Sequence, residues 1–227
     1  MNKPVIFIDA DDTLWENESY FRAAEAEFAA AIAPDDNPAA VQQILWQKQE
    51  ENIPIFGYGS KTYLIGMMDA ALEYMGGTLP REKYDAIKDI IVRLVLHKPI
   101  LFPDVEATLE ILSRKYDLVM VTKGDAVEQM KKVDESGLAK YFRAIEVVRF
   151  KNEEEYKLVA RKYDVEPGDM IMVGDSIKSD ICPVVSLGGK AIHIPHKIVW
   201  VHEIAEMPRT DRVVEAESFS DLIKILQ

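Results

Sequence analysis

The chain has a single cysteine, Cys182, among its 227 residues. One thiol cannot form an internal disulfide, and a lone cysteine fits a reducing compartment. The chain is also short of positive charge: 27 Lys and Arg against 39 Asp and Glu give a formal net charge of -12. This argues against a nucleic-acid partner, because phosphate backbones are held by clustered Lys and Arg. A small phosphorylated substrate stays compatible, since a bound divalent cation can reverse the local field. Long apolar runs are lacking too. The run Val5 to Ile8 is too short for the apolar region of a secretory signal, and no later run approaches the length that crosses a bilayer. The expectation is a soluble cytoplasmic protein without a membrane partner. What is present is ordinary for a globular chain, 48% apolar and 29% charged. The length is enough to bury a real core, in at most two modest domains.

Two textures run along the chain. Short apolar runs recur at Val5 to Ile8, Leu118 to Val121, Ile145 to Val148, Met170 to Val173 and Ala191 to Ile194. They are not cleanly alternating, which suits strands covered on both faces. Helical stretches lie between most of them: one after Val105, then Asp125 to Ser136, about Glu153 to Tyr163, and about Ile177 to Leu187. This alternation predicts a mostly parallel sheet in an α/β layer fold. The stretch from about Trp15 to Lys98 shows helix signals and no convincing strand. One stripe is Tyr20, Phe21, Ala24, Phe28, Ala31 and Ile32, and Asn37-Pro38 opens a second helix with a cap and a first-turn proline. Tyr63, Met67, Ala71 and Met75 form a third stripe, and Tyr84, Ile87, Ile91, Leu94 and Val95 a fourth. The expected division is an α/β core over 1–15 and 99–227, with a small all-α cap inserted over 16–98.

Acidic residues follow two of the predicted strands. Asp9-Ala10-Asp11-Asp12-Thr13 comes after the first, and Gly174-Asp175-Ser176, with Asp180 beyond, after the Met170 run. Carboxyl ends of strands are where open α/β sheets place ligands. Three carboxylates within four residues repel, and a hard cation such as Mg²⁺ would offset that cost. Taken singly, the first segment could be a solvated acidic turn and Asp175 a helix N-cap. Two acidic ends on one sheet edge favour a shared metal site. Thr122 would face the same edge or merely cap a helix, and Lys151 would be solvated surface unless the fold draws it in, with Lys123 and Lys157 as competitors.

Together these segments resemble the haloacid dehalogenase superfamily, whose motifs they match in order across the core. The first motif, Asp-x-Asp-x-Thr, is met by Asp9 to Thr13. The second, a threonine or serine ending a strand, is met by Thr122; the third, a lysine, by Lys151; and Gly-Asp-x-x-x-x-Asp by Gly174, Asp175 and Asp180. The resemblance implies a Rossmann-like parallel-sheet core, a helical cap of the first type, and a Mg²⁺-dependent phosphatase. It implies Asp9 as nucleophile through an aspartyl phosphate and Asp11 as acid and base. It assigns the metal to Asp9, the Asp11 carbonyl and Asp175, with Asp180 as ligand or neighbour, and the phosphoryl oxygens to Thr122 and Lys151. Relatives that dehalogenate lack an acid at Asp11 and need no metal. One departure is Asp12, where many relatives have glycine; its side chain is expected to point away from the site.

Within the cap, the Phe56 to Lys61 segment is the most loop-like, and Tyr58 and Lys61 are candidate substrate contacts. Its glycines lack the P-loop spacing. His193 and His196 flank a proline without helical ligand spacing, and are expected at the surface rather than on zinc. The leading expectation is hydrolysis of a small phosphorylated metabolite. A phosphomutase on the same core, or a phospho-aspartate signalling module, is the alternative.

Overall fold

The computed structural model describes residues 3–33 and 37–227. Contacts divide the chain into two compact units, one of 1–18, 99–123 and 129–227, the other of 19–98 and 124–128.

The first unit is built on a six-stranded sheet. Its strands are β1 (Val5–Ile8), β2 (Asp117–Lys123), β3 (Ala144–Val148), β4 (Ile171–Gly174), β5 (Lys190–His193) and β6 (Val213–Glu215). They lie in the order β3-β2-β1-β4-β5-β6, every pairing parallel. The expected Rossmann-like α/β architecture is thus present. Parallel strands need crossovers, and the mostly apolar runs of the inner strands follow, because both faces are covered. Ile6, Ile8, Leu118, Met120 and Val173 pack one face with Leu109, Leu112 and Val133. Phe7, Val119, Val121 and Met172 pack the other with Tyr156, Val159 and Tyr163. Chain order reverses at β1, whose neighbours are β2 and β4. A crevice opens at the carboxyl ends of such a switch point.

β6 was not expected from sequence. It carries only Val213 and Val214 as apolar residues and is mostly exposed, so no apolar run marks it. The helix expected over about Ile177 to Leu187 is also different: a π-helical stretch, Ile177–Ile181, leads into a short α-helix, Cys182–Ser186. Wide turns of this kind recur at functional sites.

The helical unit contains α1 (Glu18–Ile32), α2 (Pro38–Phe56), α3 (Ser60–Tyr74) and α4 (Arg81–Leu96). Asn37 caps α2, its side chain accepting from the Ala40 N–H at 3.3 Å. Phe28, Val41, Leu45, Met67, Ala71 and Ile87 are fully buried together. Tyr84, placed on the α4 stripe by sequence, is 37% exposed, and Ile90 takes its place in the core at 3%. The reason is geometric: Ile87, Ile90 and Ile91 already complete one face over a single turn.

Phe28→Ala should lower the unfolding free energy by about 3–5 kcal/mol, the usual cost of emptying a buried aromatic site. Urea unfolding followed by circular dichroism measures this, and a loss below about 1 kcal/mol would contradict the packing described.

Candidate active site

Ile8 pairs with Val173 across β1 and β4, and the Asp9 N–H bonds the Val173 carbonyl at 2.9 Å. Asp9 and Asp175 therefore leave neighbouring strands at the same edge. Thr122 lies two positions beyond Met120, the β2 partner of Ile8, which brings it to that edge as well.

Asp9 is buried. Thr13 Oγ1 donates to its Oδ2 at 2.9 Å, and the same hydroxyl accepts from the Asp175 N–H at 3.1 Å. Lys151 bonds Asp9 Oδ1 and reaches Asp180 Oδ1 at 2.6 Å, with its own side chain 2% exposed. The lysine is thus drawn into the interior. Asp180 also accepts from the Tyr156 hydroxyl at 3.2 Å and from the Ser176 N–H at 3.1 Å. The π-helical stretch folds this carboxylate back over Gly174: a Cβ at Gly174 would lie 2.7 Å from the Asp180 Cβ. Glycine is needed there for room.

Carboxylate oxygens of Asp9, Asp175 and Asp180 lie within 4.8 Å of one another. Burial, opposed by Lys151 and reinforced by Asp180, pushes the Asp9 carboxyl up to about 6. Burial, with Asp9 and Asp180 beside it, pushes Asp175 well above the usual range. Burial would lower Lys151, but Asp180 and Asp9 outweigh it and hold the ammonium charged. Among the described residues no ion pair reaches Asp175. An all-oxygen set in which one acid lacks an ion pair suits a hard divalent cation, so these residues fit Mg²⁺.

Asp11 faces a different set of partners. Lys132 Nζ contacts its two oxygens at 2.8 and 2.9 Å, the Trp15 indole N–H donates at 2.6 Å, and Gln129 at 3.1 Å. Burial alone would raise this carboxyl; Lys132, Trp15 and Gln129 reverse that and hold it below its ordinary value. Gln129 also donates to Thr122 Oγ1 at 2.5 Å, which leaves the buried threonine hydroxyl proton for another acceptor.

Asp12 does turn away. Its carboxylate takes the backbone N–H of Asn17 and Glu18, each at 2.9 Å. Its φ of 59° lies in the left-handed region that favours glycine and admits aspartate. The histidines were misjudged as surface groups. His193 is 5% exposed, and its Nε2 lies 2.9 Å from the Asp175 carbonyl, which can only accept. His196 lies 3.5 Å from Asp12 and 3.4 Å from Glu16. The competing lysines are engaged elsewhere, Lys123 with Glu203 and Lys157 with Glu154.

The structure brings together Asp9, Asp11, Thr122, Lys151, Asp175 and Asp180. Tyr58 and Lys61 belong to the helical unit, where Lys61 pairs with Asp125 at 2.7 Å. Sequence reasoning missed Gln129 and Lys132 and took His193 for a surface group. His193 could have been found by the strand-end rule that exposed Asp9. Gln129 and Lys132, three apart on the helix Ala126–Ser136, carry only a helical-face signal.

The family model for haloacid dehalogenase-like hydrolases matches residues 3–182. The chain belongs to that family. N-acylneuraminate-9-phosphatase of Mus musculus is 29% identical over 136 residues, 57% of this chain. That alignment spans about half of the phosphatase, 52% of its length. A solved haloacid dehalogenase-like hydrolase from Xanthomonas campestris superposes with a TM-score of 0.88 at 29% identity, covering 99% of this chain and 90% of the other. A 2-haloacid dehalogenase from Pseudomonas syringae shares the fold at 24% identity and a TM-score of 0.64, covering 100% of this chain and 98% of its own.

Beside the carboxylates, Glu203 accepts from Ser176 at 2.5 Å and also bonds Ser179 and Lys123. Burial raises its carboxyl, but Lys123 and the two serines prevail and hold it below its ordinary value. Such a group stabilises the fold above its unfolded pKa of about 4.3, and that stability is lost as pH falls through the folded value. Wild type should therefore exceed Glu203→Gln by about 1–3 kcal/mol near neutrality. The gap should close on acidification in urea titrations run at several pH values; a gap that widens would contradict the assignment.

Proposed function

We propose that this chain is a Mg²⁺-dependent phosphatase acting on a small phosphorylated metabolite. The observation that carries the reading is the crowding of Asp175, Asp9 and Asp180, at an edge that also gathers Thr122, Lys151 and a second acid, Asp11. The phosphatase relative supports the ester chemistry, and an N-acylneuraminate 9-phosphate is the first ester to try. The presence of Asp11 favours phosphate over halide chemistry, because a halide leaves without a proton.

Asp9 attacks phosphorus, the ester P–O bond breaks, and the leaving oxygen takes a proton from Asp11. Water then attacks the aspartyl phosphate as Asp11 accepts its proton, releasing inorganic phosphate and restoring Asp9. Asp11 rests as an anion, and a phosphoryl dianion beside it favours the proton it must first carry. Lys151 and the free proton of the Thr122 hydroxyl hold phosphoryl oxygens. Asp9, the Asp11 carbonyl and Asp175 would hold Mg²⁺, with Asp180 close by, and the ion would supply charge neutralisation. Tyr58 and Lys61 are the proposed contributors to substrate choice from the helical unit.

Phosphate release should require Mg²⁺ and fall at least about a hundredfold in Asp9→Asn and in Asp11→Asn. Metal-free turnover that survives Asp9→Asn would refute the mechanism. The cation must also compete with protons at Asp9, raised to about 6, and at Asp175, which burial pushes well above the usual carboxylate range. The Mg²⁺ concentration giving half-maximal rate should rise about tenfold from pH 7.5 to 5.5. A constant requirement across that range would remove these carboxylates from the metal site.

A further inference from the structure

We infer that Lys132 is a positioning residue for Asp11, fixing the carboxyl that serves the leaving-group oxygen. The inference rests on the phosphatase reading and adds a residue outside the four matched motifs.

An ammonium group has three protons. Lys132 lies within hydrogen-bond reach of three acceptor atoms: Asp11 Oδ1 at 2.8 Å, Asp11 Oδ2 at 2.9 Å, and Asn17 Oδ1 at 2.8 Å. A single donor would leave a carboxylate free to rotate about its Cβ–Cγ bond. Contact with both oxygens fixes its plane, and Trp15 on Oδ1 with Gln129 on Oδ2 fixes it further. Asn17 holds the ammonium from the far side. The arrangement is also selective. Lys151 serves Asp9 and Asp180, whereas Lys132 serves Asp11, so two lysines divide acids that are two residues apart in sequence.

Orientation matters most in the step that moves a proton. An acid contributes only when its oxygen lies within hydrogen-bond reach of the leaving atom, and small displacements are costly. A leaving phenolate needs that proton, whereas p-nitrophenolate, a far weaker base, departs with little help. Loss of Lys132 should therefore act selectively on the poorer leaving group. A purely structural role would depress both substrates alike.

The test compares kcat/KM for phenyl phosphate and p-nitrophenyl phosphate at saturating Mg²⁺, since this constant covers events up to the aspartyl phosphate. For Lys132→Met the phenyl ester should lose about thirtyfold and the nitrophenyl ester at most about threefold. Lys132→Arg should restore part of the ratio. Asn17→Ala, which keeps the lysine but removes its third acceptor, should shift the ratio in the same direction by less. These last two variants read the same ratio should Lys132→Met fail to fold. Equal losses on both esters, no loss on either, or a greater loss on the nitrophenyl ester would overturn the inference. A wild-type chain that releases phosphate from neither ester would instead sink the phosphatase reading itself.

Discussion

The rest of the catalytic unit is arranged around a crowding of negative charge. Asp9, Asp175 and Asp180 bring carboxylate oxygens within 4.8 Å of one another at a buried strand edge. Two like charges about 4 Å apart cost about 4 kcal/mol at the effective dielectric typical of proteins. Lys151 offsets part of this by bridging Asp9 and Asp180, and Asp175 is left without an ion pair among the described residues. Several local features make sense only against this crowding. Gly174 leaves room for the Asp180 side chain, the π-helical stretch turns that acid inward, and Thr13 links Asp9 to the Asp175 backbone. Each holds a charged group where water alone would not keep it. A divalent cation completes the balance in the proposed enzyme.

Asp9 and Asp11 show how neighbours in sequence acquire opposite electrostatics. Asp9 is raised because burial and nearby acids outweigh its lysine. Asp11 is lowered because three donors outweigh its burial. Separate environments for paired carboxylates are the usual means by which one site runs two kinds of proton chemistry. Here the separation comes from different elements: Lys151 precedes the helix Glu153–Lys162, while Gln129 and Lys132 stand on the helix Ala126–Ser136. The fold therefore tunes two residues of one short loop in opposite directions through different partners. Family membership leaves this detail open, since a dehalogenase shares the same fold.

Much of this was legible in the chain. Short, mostly apolar runs located five strands, because the inner strands of a parallel sheet are covered on both faces. Acids placed directly after two of those runs located the site, since strand ends converge at a switch point. The Asp12 carboxylate takes the Asn17 and Glu18 N–H groups, and its positive φ lies in the region that favours glycine. β6 escaped because an exposed edge strand of three residues needs no apolar run. His193 escaped because a histidine's burial depends on a partner, here the Asp175 carbonyl.

The sequence by itself determined the parallel sheet, the helical insertion and the identity of the acids, because periodicity and strand-end position are local properties of a chain. Only the tertiary structure decided which cation answers which carboxylate. Lys151, Lys132 and Lys123 look alike in sequence, and hydrogen-bond geometry, acting over a few ångströms between residues more than a hundred positions apart in two of the three cases, gives each a different task.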